Sequence, residues 1–151
     1  GDDNSGWMFV KYPLYSDDES GQLEADYCEI RLPEIIYSLA ECKLRQGDAA
    51  SAGRLLNEVR KRNYPSTDWN TALYTPEGAA KLDMKELLNE WGREFFAEGR
   101  RRVDLIRFEK FLDAWWDKDA DVDNHTLIFP FHREILGANK YLKQNPGYNE
   151  K

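Results

Sequence analysis

The chain has 151 residues, enough for one buried core, with 41% apolar residues and an unusually high 13% aromatic content. A formal net charge of −7, from 28 acidic and 21 basic residues, speaks against a general phosphate-binding surface and so against nucleic acid as a partner. No apolar run approaches the roughly 20 residues that span a bilayer, and the opening GDDNSG has neither the basic nor the apolar region of a signal peptide.

Residues 1–30 pair an aromatic run, WMFVKYPLY, with an acidic one, SDDESGQLEAD, and read as an extended segment followed by a solvated loop. The start at Gly1 without Met fits a piece of a longer protein. Leu32 and Pro33 mark a helix start, because proline suits a first turn. Ile35, Ile36, Leu39, Ala40 and Lys43 follow at helical spacing, and Gly47 supplies the stop. Asp48 can cap a second helix in which Ala52, Leu55, Leu56 and Val59 form one stripe. The spacing predicts a helical hairpin over 31–62. Ala40, Ala52, Leu56, Val59 and Pro65 also fall near the pattern of one tetratricopeptide-like unit, whose open face needs a neighbour. Cys28 and Cys42 are expected to be free and mostly packed, since Cys42 lies well along the first helix while Cys28 precedes it.

Residues 63–82 have two prolines and no clear period, which predicts a long loop with a short helix. DMKE at 83–86 has capping-box spacing and opens a third helix running to about Ala97, with Gly99 beyond it. Val103–Trp116 reads as a fourth helix, so helices are expected over 83–118. On such a helix Trp115 and Trp116 point about 100° apart, which places at least one in the core. Residues 119–151, with Pro130, Pro146 and Gly147, read as an irregular strap with one turn at Arg133–Leu136. The expectation is an all-α fold in a single domain over 1–151.

The densest chemistry lies at 90–107. Glu90, Glu94 and Glu98 share one helical face, which is unfavourable unless cations sit opposite. A structural network of Glu94, Glu98, Arg101, Asp104 and Arg107 answers this, since the arginine fork suits half-buried pairing. A glycosidase pair of Glu94 and Glu98 is the catalytic alternative, but side chains at i and i+4 project in parallel instead of flanking a sugar. An arginine site for phosphate is weakened by the interleaved Val103, Leu105, Ile106 and Phe108. His125 and His132, seven residues apart in a stretch without cysteine, offer no metal-ligand spacing, and neither a phosphate loop nor a nucleophile elbow occurs.

Four ordered blocks resemble one family. RLPEIIYSLAE at 31–41 is similar to the Arg-x-x-Glu helix opening of the SusD/RagB outer-membrane nutrient-binding lipoproteins, and GDAASAGRLLNEVRKR at 47–62 to their Leu-Asn-x-Val-Arg-x-Arg helix. LLNEWGREFFAEGRRRVDLIRF at 87–108 resembles their Glu-Gly-x-Arg-x-x-Asp-Leu-x-Arg signature, with Trp91 where arginine is usual. LIFPFHREILGANKYLKQNPGY at 127–148 resembles their closing segment, with His132 in place of a proline.

The resemblance covers the C-terminal part of such proteins. It implies tetratricopeptide-like hairpins, no cofactor, no enzymatic activity, and a lipid anchor on a cysteine upstream of this chain. It further implies a place on the outer surface of a Bacteroidetes-type cell. There such proteins bind an oligosaccharide or other nutrient as the lid of a SusC-type TonB-dependent transporter.

A sugar site would use aromatic faces beside hydroxyl-binding polar groups. Trp69 and Tyr74 with Asp68 and Asn70 make the best such group in this sequence, followed by Trp7, Tyr12 and Tyr15. Two other readings stand beside this one: the aromatics only cover the hairpin face of a scaffold that docks the transporter without a saccharide site, or the chain is a glycoside hydrolase.

Overall fold

The computed structural model describes residues 28–149, so the aromatic and acidic lead-in lies outside the described residues. Among these residues the chain is all-α, with six helices and two isolated β-bridges. It divides into two compact units, Gly1–Leu87 and Leu88–Lys151.

In the first unit α1 (Leu32–Arg45) and α2 (Ala49–Arg60) form the expected hairpin. Gly47, at φ +86°, stops α1: its N–H donates to the Leu44 carbonyl at 3.0 Å, and the Asp48 N–H donates to Lys43 at 2.9 Å. This paired closure needs a left-handed residue, which glycine supplies without strain. Asp48 then caps α2 by accepting from the Ser51 N–H at 3.0 Å. That backbone bond, with the Ser51 hydroxyl second, holds the Asp48 carboxyl below its ordinary value.

Ala40, Ala52 and Leu56 are completely buried, and the small residues let the helices approach closely. The buried face of α1 is Pro33, Tyr37, Ala40 and Glu41, while Ile35 and Leu39 stay exposed beside Leu32. Both stripes have helical spacing, and only packing against α2 selects between them. Cys28 and Cys42 are free thiols as expected, but both are exposed, Cys42 by its place along the open stripe of α1.

The connection after α2 contains a 3₁₀ turn, Ser66–Asp68, and α3 (Trp69–Ala72), a single turn of helix. Helix α4 (Met84–Glu94) begins as DMKE predicts: Asp83 accepts from the Glu86 N–H at 2.7 Å. The Glu86 carboxylate accepts from the Tyr74 hydroxyl at 2.8 Å. The division between the units falls within α4.

In the second unit α4 stops at Glu94, short of Ala97, and the chain turns through Ala97 at φ +59° and Gly99 at φ +74°. Helix α5 (Arg101–Arg107) is half the expected length. Glu109, at φ +58°, ends it as Gly47 ends α1, with its N–H donating to Ile106 at 3.0 Å and that of Lys110 to Leu105 at 2.7 Å. A glutamate in the left-handed region leaves no stop signal in sequence. Consequently Trp115 and Trp116 are not helical, and neither is core: they are 42% and 97% exposed.

The tail forms a 3₁₀ turn at His125–Leu127, an extended strap over 128–132, and α6 (Arg133–Ala138) where one turn was expected. Side chains replace a partner strand along the strap. Gln144 accepts from the Phe131 N–H at 2.9 Å and donates to its carbonyl at 3.0 Å; Asn145 donates to Phe129 at 2.7 Å, and the Tyr148 hydroxyl to Ile128 at 2.8 Å. The Asn-Pro-Gly-Tyr ending thus closes the ladder. Gly147, at φ +87°, is required there because a Cβ would collide with the His125 side chain, whose ring packs edge-on against Tyr148 at 4.8 Å. His125 also pairs with Asp123, which accepts from its backbone N–H at 2.9 Å and is held below its ordinary pKa chiefly by that bond.

Candidate functional site

In the first unit, α2 supplies the anchors for the connecting loop. Asn57 is fully buried; its amide donates to the Tyr74 carbonyl and accepts from the Tyr74 N–H, both at 2.8 Å. One turn later Arg60 donates from Nε and Nη2 to the Ala72 carbonyl, at 3.0 and 2.6 Å, and its guanidinium lies 4.5 Å from the Tyr74 ring centroid. Gly53 permits the approach, since a Cβ there would run into the Thr75 carbonyl oxygen. The Leu-Asn-x-Val-Arg pattern is therefore a loop clamp. Each of its polar side chains replaces a backbone partner the loop would otherwise lack.

The clamp separates the predicted sugar-binding residues. Tyr74 is 1% exposed, with its ring under Arg60, so it offers no open face. Trp69 is half-buried at the start of α3, its indole N–H donating to the Tyr64 carbonyl at 3.0 Å and the Lys61 ammonium 5.4 Å from its ring centroid. Asp68 and Asn70, on either side of it, are exposed. Asp68, Trp69 and Asn70 thus stay together on one turn, and Trp7 lies outside the described residues. Lys61 is tied to Glu77 at 2.5 Å, which fixes the cation beside the indole.

In the second unit the arginine cluster works through carboxylates, aromatic rings and backbone carbonyls together. Asp104, 1% exposed, takes Arg107 at 3.3 Å and Arg100 at 3.4 Å, while Glu90 takes Arg93 at 2.7 Å. The Arg100 guanidinium sits 4.5 Å from the Trp91 ring centroid, with Arg107 at 5.8 Å. Each such contact contributes roughly 0.5–2 kcal/mol according to its exposure. Arg101 lies over Gly92 and donates to the Leu88 carbonyl at 2.8 Å, instead of reaching for a carboxylate. Glu98 is buried and Glu94 half-buried. Trp91, standing where arginine is usual in the resembling family, is the aromatic floor on which α5 is held.

Arg102 serves the strap. Its guanidinium lies 4.1 Å from the Phe129 centroid and 4.9 Å from that of Phe111, and donates to the carbonyls of Thr126 and Leu127 at 2.9 and 3.1 Å. An open groove of about 910 Å³ runs past Asn89, Phe96, Arg93 and Arg101. Among the described residues its lining contains no carboxylate. Among the described residues no group of three metal-ligating side chains converges.

Comparison with known proteins fits this frame. The family model described as the SusD family matches residues 1–135. Starch-binding protein SusD of Bacteroides thetaiotaomicron is 31% identical over 156 residues, which cover 95% of this chain and 26% of that relative. The chain therefore spans about a quarter of the length of the protein it resembles.

Proposed function

The chain belongs to the SusD family, and from that premise we propose that it is part of a non-catalytic glycan-binding protein. The observation that carries this reading is the similarity, along 95% of the chain, to a protein named for binding starch. In the proposed site the Trp69 ring stacks on the C–H face of a sugar while Asp68 and Asn70 take its hydroxyls. The indole is preorganised by its bond to Tyr64 and by the Asn57 and Arg60 clamp behind the loop. Preorganisation matters because ordering a loop on binding subtracts directly from affinity.

The acidic side chains near the arginines support a binding role over a hydrolytic one. Asp104 and Glu90 are committed to guanidinium groups, and Glu98 is buried. The proposal extends to a SusC-type TonB-dependent transporter as partner and to the outer surface of the outer membrane as location. A second reading, a scaffold that docks the transporter without a sugar site, is favoured by one observation: Leu32, Ile35 and Leu39 form an exposed stripe on α1.

Calorimetric titration with soluble oligosaccharides tests the choice. Saturable binding that Trp69→Ala weakens supports the glycan site. A flat response to every sugar from a cooperatively folded sample refutes it for this segment and leaves the scaffold reading. Sugar turnover that vanishes in Glu98→Gln would overturn the non-catalytic assignment.

A further inference from the structure

Beyond Trp69, the second unit holds a more exposed aromatic on a more firmly built mount. We propose that the turn around Trp116 is a separate saccharide-stacking site whose ligand is a neutral oligosaccharide. The proposal rests on the glycan-binding reading above and adds a site to it.

The mount is a two-residue hairpin. The Trp115 N–H donates to the Lys118 carbonyl at 2.9 Å and the Lys118 N–H returns to Trp115 at 3.0 Å, so Trp116 and Asp117 are its central residues. The Lys118 ammonium braces the turn from within. It donates to the carbonyls of Asp113 and Asp119 at 3.3 and 3.0 Å and to the Asp121 carboxylate at 2.7 Å, and it lies 5.1 Å from the Trp115 ring centroid. A further bond, from the Asp121 N–H to Leu112 at 3.0 Å, closes the loop. The acid-rich stretch 117–123 thus carries its own tethered cation.

On this mount the Trp116 side chain is left almost wholly in water, although tryptophan is among the side chains most buried on average. A turn held by five bonds to Lys118 that still exposes its largest ring is suited to stacking on something external. The neighbouring charges select what that is. Lys110 is taken by Asp113 at 2.9 Å and Lys118 by Asp121, whereas among the described residues no cation pairs with the carboxylates of Asp117 or Asp119. Ionised carboxylates accept from sugar hydroxyls and repel anionic glycans. An exposed aromatic face on the same turn as acceptor-only groups fits an uncharged pyranose with C–H bonds on one side and hydroxyls at its rim.

The test is calorimetry on the intact chain with a neutral maltooligosaccharide and an oligogalacturonide of equal length, using Trp116→Ala, Trp69→Ala and the double variant. Because Trp116 is exposed, Trp116→Ala should fold, and its circular dichroism and melting curve should match those of the wild type. The expected result is that Trp116→Ala weakens neutral-sugar binding about tenfold, the scale of one lost stacking contact. Binding that survives Trp69→Ala is lost in the double variant, and the oligogalacturonide binds poorly throughout. Neutral-sugar binding identical in the wild type and Trp116→Ala overturns this site while leaving the Trp69 reading intact. Absence of any binding to the wild type overturns both, and preferential binding of the oligogalacturonide overturns the assigned ligand class.

Discussion

Replacing Asn57 by alanine probes the loop clamp most directly. The side chain is completely buried and makes two hydrogen bonds of 2.8 Å to one residue, accepting from the N–H and donating to the carbonyl of Tyr74. Truncation leaves the Tyr74 N–H buried without a partner, which costs about 1–3 kcal/mol, whereas the Tyr74 carbonyl keeps the Glu77 and Gly78 N–H groups at 3.2 Å and loses only one further hydrogen bond, worth about 0.5–1.5 kcal/mol. Water entering the vacated space recovers part of this, so a net loss of about 2 kcal/mol is expected. For a chain of this size that corresponds to roughly 4–8 °C in Tm, a sizeable share of a typical total stability of about 5–15 kcal/mol.

Thermal and urea unfolding followed by circular dichroism measure the loss, and Asn57→Asp supplies a control of the same shape. The aspartate keeps an acceptor for the Tyr74 N–H but turns an oxygen toward its carbonyl, so burial and that contact raise its folded-state pKa above the unfolded value of about 3.9. Its penalty is absent below that value and grows as pH rises, so the deficit against wild type should be larger at pH 7 than at pH 4. A Tm for Asn57→Ala within about 2 °C of wild type would refute the clamp, since the expected effect is at least twice as large.

Three further outcomes are expected. Arg102→Lys keeps the charge but loses the flat fork between Phe111 and Phe129, so hydrogen exchange at 126–131 should accelerate about tenfold or more while exchange in α2 is unchanged. Gly147→Ala forces a Cβ toward His125 at a left-handed φ, which should release the Gln144 ladder and expose the Phe131 amide to fast exchange. The carboxyls of Asp48 and Asp123 are both depressed by backbone hydrogen bonds. Their contribution is fully present above the unfolded value of about 3.9 and is lost as pH falls through the lower folded-state values. The urea midpoint should therefore decline below about pH 4, less steeply in Asp48→Asn.

Much of the molecule is legible in its residues because it is written locally. Pro33, Gly47 and Asp48 act on the backbone within a few positions, so the hairpin and its turn follow from spacing and cap chemistry. Asp83 opens α4 for the same reason. The resemblance of LNEVR and QNPGY to known blocks identified the family before the physical work of those residues was visible: Asn57 and Arg60 clamp a loop, and Gln144, Asn145 and Tyr148 hold a strap.

What only the tertiary structure decided are choices between locally equivalent options. Two stripes of α1 have the same period, and contact with α2 buries the one containing Tyr37 and Ala40. Val103–Trp116 has helical periodicity throughout, yet Glu109 enters the left-handed region and ends α5, because backbone bonds to Leu105 and Ile106 offset a strain that sequence does not display. That termination places Trp116 on a braced turn in solvent, while Tyr74 is drawn under Arg60. Caps and stops are short-range and leave their mark on neighbouring residues. Which face is buried, and which ring remains open to a ligand, depends on partners distant along the chain.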